Sequence, residues 1–181
     1  MLRRKLLGLV SASPLLAALP AKAAARTAAA VKAMQANWRD LLAENADITT
    51  DTTPLDRPKK AWLDELSRPA WKVLFEEDTE RPFTSPLNEE KRPGVFVCAA
   101  CHLPLFTSAM KYDSGTGWPS FFTSIPGHLD TKTDWKLVWP RTEYHCVRCG
   151  GHQGHVFDDG PEPTGERWCN NGLALDFIPR D

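Results

Sequence analysis

The chain has no apolar run long enough to span a bilayer. Its most apolar stretch, Leu6 to Leu19, is short and is broken by Pro14, whereas a spanning helix needs about 20 residues. Excess positive charge is also missing: 22 Lys and Arg stand against 23 Asp and Glu, a formal net charge of −1. That weighs against a nucleic-acid partner, which demands a basic face. Internal repeats are absent apart from two short cysteine pairs. Cysteine itself is scarce, with five in 181 residues, so a dense disulfide framework is excluded.

What those five cysteines do is informative. Cys98 and Cys101 form one C-x-x-C pair, Cys146 and Cys149 a second, and Cys169 stands apart in Arg167-Trp168-Cys169-Asn170-Asn171-Gly172. Two C-x-x-C knuckles supply the four thiolates of a closed tetrahedral zinc site. Disulfides and another metal such as iron are the competing readings. A bond within C-x-x-C is a redox device more often than a staple, so two of them would be unusual. A closed four-thiolate site has no open position for substrate, so the metal is expected to hold the fold. Cys169 is left free to react.

The first 23 residues have the three parts of an export signal: Met1-Leu2-Arg3-Arg4-Lys5, an apolar region, and the small-x-small site Ala21-Lys22-Ala23. Adjacent arginines suggest the twin-arginine route, although no Ser precedes them. The protein is therefore expected to be exported, to a bacterial periplasm. Removing residues 1–23 takes four of the 22 basic side chains and none of the 23 acidic ones, leaving a formal charge of −5. That strengthens the case against nucleic acid.

Residues 24–60 read as a helical segment and a linker. Val31, Met34, Trp38, Leu41 and Leu42 fall near one helical face between Arg26 and Asn45. Ile48 to Lys60 is polar and Pro-bearing, with no core pattern of its own. Helical pieces follow from Ala61 to Glu77, with Pro69 suited to a helix's first turn. From Gly94 onward short apolar runs alternate with Gly, Pro and Asp clusters, including Trp135 to Trp139, read as a half-buried strand. The expected fold is mainly β: an antiparallel β domain, residues 61–181, with helices at its N-terminal end and stapled by zinc.

Three long segments carry a resemblance. They are Tyr112-Asp113-Ser114-Gly115-Thr116-Gly117-Trp118-Pro119-Ser120-Phe121, Gly151-His152-Gln153-Gly154-His155-Val156-Phe157-Asp158-Asp159-Gly160-Pro161, and Pro163-Thr164-Gly165-Glu166-Arg167-Trp168-Cys169-Asn170-Asn171-Gly172. Together with Glu80-Arg81-Pro82-Phe83-Thr84 upstream, they resemble the methionine-R-sulfoxide reductases of the B type, from about Trp62 to Phe177. The resemblance implies a β-tent-like domain, and structural zinc on Cys98, Cys101, Cys146 and Cys149. It makes Cys169 the nucleophile and His155 the leading proton donor, assisted by His152. It also implies that Asn171 holds a water near substrate and that Asp159 orients the histidine and arginine.

The chemistry can be argued beside it. Reducing a sulfoxide needs a soft nucleophile for sulfur and a proton for the departing oxygen. Arg167, two residues before Cys169, would share its face on a strand and favour the thiolate. Trp118 offers an aromatic face to the substrate methyl. The plainer readings are a surface Arg167, a turn Asp159 and a core Trp118. Where many members of that family have a resolving cysteine, this chain has Thr116. No cysteine remains for an intramolecular disulfide, so an external, thioredoxin-like thiol is expected to regenerate a Cys169 sulfenic acid. Oxidised proteins or peptides are the expected substrates, and the protein is expected to be a monomer. Two other classes compete: a binding module that has lost catalysis, and a thiol hydrolase with Cys169 as nucleophile and His155 as base.

Overall fold

A computed structural model describes residues 27–135 and 139–180. The export segment expected over residues 1–23 lies outside the described residues, as do Arg26 and Leu137. Among the described residues no helix is long and apolar enough to cross a membrane.

Helix α1, Ala28–Ala36, is capped by Thr27, whose hydroxyl accepts from the Ala30 N–H at 3.2 Å. It stops at Asn37, and the chain continues as a 3₁₀ turn, Trp38–Leu41. The single helix expected up to Asn45 is therefore two pieces. The break delivers Trp38, 4% exposed, into the core, edge-on to His128. Residues 42–58 have no regular element, yet they are tied down. The Thr49 N–H donates to the His102 carbonyl at 3.2 Å, and that of Leu55 to the Arg148 carbonyl at 2.7 Å. The Arg148 guanidinium reaches the Asp51 carbonyl at 2.8 Å and its carboxylate at 2.5 Å. Both cysteine knuckles are thus strapped by this stretch. Helix α2, Arg68–Glu76, begins with Ser67 capping the Ala70 N–H and with Pro69 in the first turn. It buries Trp71, Val73, Leu74 and Phe75.

Among the described residues nine strands follow, and all their pairings are antiparallel. β1 (Gly94–Cys98) lies between β2 (Pro104–Thr107) and β9 (Leu175–Pro179) in a three-stranded sheet. The second sheet has six strands in the order β3-β4-β8-β7-β6-β5. These are β3 (Lys111–Tyr112), β4 (Ser120–Phe121), β8 (Arg167–Asn170), β7 (His152–Phe157), β6 (Arg141–Cys146) and β5 (Leu129–Asp134). The mainly β fold with N-terminal helices is as expected. Between the sheets sits an aromatic core; Phe106 stacks on Phe121 with ring centroids 4.0 Å apart.

One strand differs from expectation. The strand before β6, Leu129–Asp134, had no signal in the sequence, while the strand expected over Trp135 to Trp139 falls mostly on residues outside those described. Trp135 and Trp139 are 73% and 78% exposed. β5 is an edge strand, so its polar Asp-Thr-Lys-Thr sequence can face water while the β-branched threonines favour extended backbone.

Candidate active site and metal centre

β1 and β6 each end on a cysteine, Cys98 and Cys146, and each then makes a tight turn. The Cys98 carbonyl accepts from the His102 N–H, and that of Cys146 from the Gly150 N–H, both at 2.9 Å. The two turns face each other. The Sγ atoms of Cys98, Cys101, Cys146 and Cys149 all lie within 4.8 Å of one another. The close sulfur pairs cross between knuckles, Cys98 to Cys149 at 3.6 Å and Cys101 to Cys146 at 3.5 Å, rather than joining the cysteines of one C-x-x-C. A metal with metal–sulfur bonds of about 2.3 Å in a tetrahedron needs sulfurs about 3.8 Å apart. The donor set and spacing fit a metal ion of that kind, and all five cysteines are unpaired.

Cys169 lies on β8 between two neighbours in register. His155 of β7 is its partner on one side and Ser120 of β4 on the other. Such close approach of β7 and β8 requires glycine at 154, because a Cβ there would lie 1.9 Å from the Cys169 carbonyl oxygen. Burial pushes the Cys169 thiol above its ordinary value, while the Arg167 charge and hydrogen bonds from Thr116 and Arg167 pull it back. Arg167 therefore favours the thiolate, as its spacing suggests, but burial outweighs it. Its guanidinium is held by both Asp159 oxygens, at 2.7 and 2.9 Å, and lies over the Phe157 ring.

A cavity of about 110 Å³ opens beside the sulfur, lined among others by Thr79, Trp118, Arg141, His155, Phe157, Cys169 and Asn171. Trp118 is fixed by its indole N–H, which donates to the Glu80 carbonyl at 3.2 Å. Asn171 is buried and braced: its Oδ1 accepts from the Glu80 N–H at 3.1 Å, and its Nδ2 donates to the Gln153 carbonyl at 3.0 Å. His155 Nε2 meets Asp134 Oδ2 at 2.8 Å, and the same oxygen accepts from Arg141 at 2.7 Å. Burial lowers the His155 pKa and Asp134 partly restores it. His152 does not line the cavity. It is 2% exposed, meets Glu143 at 2.7 Å, and packs its ring 5.4 Å from that of His155.

Of the residues expected from sequence, Cys169, His155, Trp118 and Asn171 line the cavity together, with Arg167 hydrogen-bonded to the thiol, Asp159 holding Arg167, and His152 packed against His155. Sequence reasoning missed Asp134, Arg141, Glu143 and Glu80. Nothing local showed that Asp134, on β5 at the sheet edge, would meet His155, two strands away on β7.

Two comparisons with known proteins agree with this geometry. The SelR domain matches residues 66–179. A peptide methionine sulfoxide reductase MsrB of Alteromonas mediterranea is 46% identical over 124 residues, 68% of this chain and 87% of that protein. The protein of the same name from Pseudomonas putida is 46% identical over 128 residues, 70% of this chain and 96% of its own length. The SelR match spans both knuckles and the strand bearing Cys169, and the chain belongs to the MsrB family of peptide methionine sulfoxide reductases, oxidoreductases that reduce methionine sulfoxide.

Proposed function

We propose that the enzyme reduces the R epimer of protein-bound methionine sulfoxide by nucleophilic attack of Cys169, leaving a sulfenic acid. The carrying observation is that Cys169 and His155 are cross-strand partners at the wall of a cavity that also holds Trp118. The Cys169 thiolate attacks the sulfoxide sulfur. His155, its ring held by Asp134, gives a proton to the oxygen. The oxygen passes to the cysteine sulfur: thiol plus sulfoxide becomes sulfenic acid plus thioether. Two electrons leave the Cys169 sulfur and arrive on the methionine sulfur. The Trp118 face takes the methyl group while the polar wall takes the oxygen, which sets the epimer.

With Thr116 rather than cysteine nearby, regeneration needs an external thiol. One thiol condenses with the sulfenic acid, releasing water and forming a mixed disulfide; a second displaces Cys169. Cys98, Cys101, Cys146 and Cys149 would hold zinc, whose contribution when bound is a structural staple. Residues 1–23 support export to the periplasm, where a thiol donor must be delivered.

The test is turnover of peptides carrying each epimer separately, with dithiothreitol as reductant, for wild type and Cys169→Ser. Reduction of the R epimer alone, absent in the variant, is expected. Reduction of the S epimer, or an intramolecular Cys169 disulfide found by mass spectrometry in the substrate-treated, reductant-free enzyme, would overturn the reading.

A further inference from the structure

Three large polar side chains are completely enclosed between the metal centre and the catalytic strand. Tyr144, Gln153 and Asn170 are each 0% exposed, and they form one connected chain. Gln153 Nε2 donates to Cys98 Sγ at 3.4 Å. Asn170 Nδ2 donates to Gln153 Oε1 at 3.3 Å, and Tyr144 Oη donates to Asn170 Oδ1 at 2.8 Å. Asn170 Nδ2 also reaches the Asn171 carbonyl at 2.8 Å. The main-chain carbonyl of Gln153 accepts both the backbone N–H of Asn171, at 2.8 Å, and its side-chain amide, at 3.0 Å.

The backbone explains how Gln153 serves two sites. Tyr144 pairs with Gly154 and His145 pairs with His152, so Gln153 has no partner opposite on β6. This is a bulge, and a bulge re-aims side chains beside active sites. Here it sends the Gln153 side chain to the cysteine cluster while its carbonyl holds Asn171 at the cavity.

Buried amides are costly unless satisfied, and a fully satisfied buried network specifies one arrangement of its members. Four thiolates around a divalent ion carry a net negative charge in a dry setting, so an N–H directed at one sulfur stabilises the loaded state. Without an ion the four sulfurs are no longer held at one spacing, and Gln153 loses the fixed acceptor that orients its side chain. Asn170 and Asn171 hang on that same residue.

We propose that Gln153 is a positioning residue that links the geometry of the metal centre to Asn171 and to the strand carrying Cys169. The proposal rests on zinc occupying the four cysteines. Substitution Gln153→Met keeps volume and removes both hydrogen-bonding ends; Tyr144→Phe removes only the far end of the chain. Zinc content, the rate of zinc release to a chelator, and kcat and KM on the sulfoxide peptide would be measured for the full-length, zinc-loaded proteins. Gln153→Met is expected to retain zinc but to release it about 10- to 100-fold faster, and to raise KM more than it lowers kcat. Tyr144→Phe should move both quantities in the same directions by less, and it serves as the test if Gln153→Met does not fold. Wild-type zinc release and wild-type KM in folded, zinc-bound variants would overturn this proposal alone. Absence of zinc from folded wild type would overturn the metal reading, and the proposal with it.

Discussion

At Cys169, burial and hydrogen bonding oppose each other. Burial keeps the thiol above its ordinary value, and the Arg167 charge and the Thr116 hydroxyl act against it. Thr116 does not act alone: its hydroxyl meets Ser114 at 2.8 Å, and Ser114 meets the buried Ser120 at 2.7 Å. Ser120 is also the register partner of Cys169. A hydrogen bond to a charged group contributes about 1.5–3 kcal/mol. Thr116→Val should therefore slow alkylation of Cys169 by iodoacetamide near neutral pH by roughly tenfold, and Thr116→Ser should restore it. Because the folded thiol titrates above its ordinary value, the alkylation rate should still be climbing above pH 9 in the wild type. A plateau below neutrality would refute this. Glu143 makes the opposite case. Burial opposes its charge, but His145, His152 and Lys132 prevail and hold its carboxyl at about 2, against an ordinary 4.5. A depressed acid contributes stability above its unfolded pKa and loses it as pH falls toward the folded one. Glu143→Gln should thus lower the melting temperature at pH 7, and the gap to wild type should close as pH falls from about 4.5 to about 2. A gap independent of pH over that range would contradict the assignment.

Among the elements, the N-terminal pieces were only partly legible. The apolar face of Val31 and Met34 announces α1, and Pro69 announces the start of α2, because both are local signals. The strap over residues 42–58 has no periodicity to read, since its attachments are main-chain bonds to His102 and Arg148 and the Arg148 guanidinium on Asp51, all between residues far apart along the chain. Trp38 is the anchor of this layer, 4% exposed. Trp38→Ala should cost about 3–5 kcal/mol of stability, measurable by denaturant unfolding, while the zinc-free and zinc-loaded proteins should both feel the loss. β5 was not anticipated, for a comparable reason: apolar alternation marks strands with a buried face, whereas an edge strand needs little burial.

For the whole molecule, one strand from each sheet, β1 and β6, delivers a cysteine pair to the cluster, and the six-stranded sheet carries the thiol. Structural zinc sites contribute about 10–16 kcal/mol in small domains. Stripping metal with a chelator should therefore lower the melting temperature sharply, with recovery on adding zinc. An unchanged melting curve after verified metal removal would show that the core alone suffices.

The sequence by itself determined the chemistry on offer: four paired cysteines, one solitary thiol, two histidines beyond the second knuckle, and a tryptophan in a glycine-rich turn. Those are local patterns, because metal spacing and turn chemistry are set within a few residues. Tertiary structure decided which groups meet. Asp134 reaches His155, Glu143 takes His152, and Gln153 spans the cysteine cluster and Asn171. These meetings depend on strand order and on a one-residue slip in register. A slip in register moves side chains to the other face of a sheet, and neither order nor slip leaves a mark in the residues on either side.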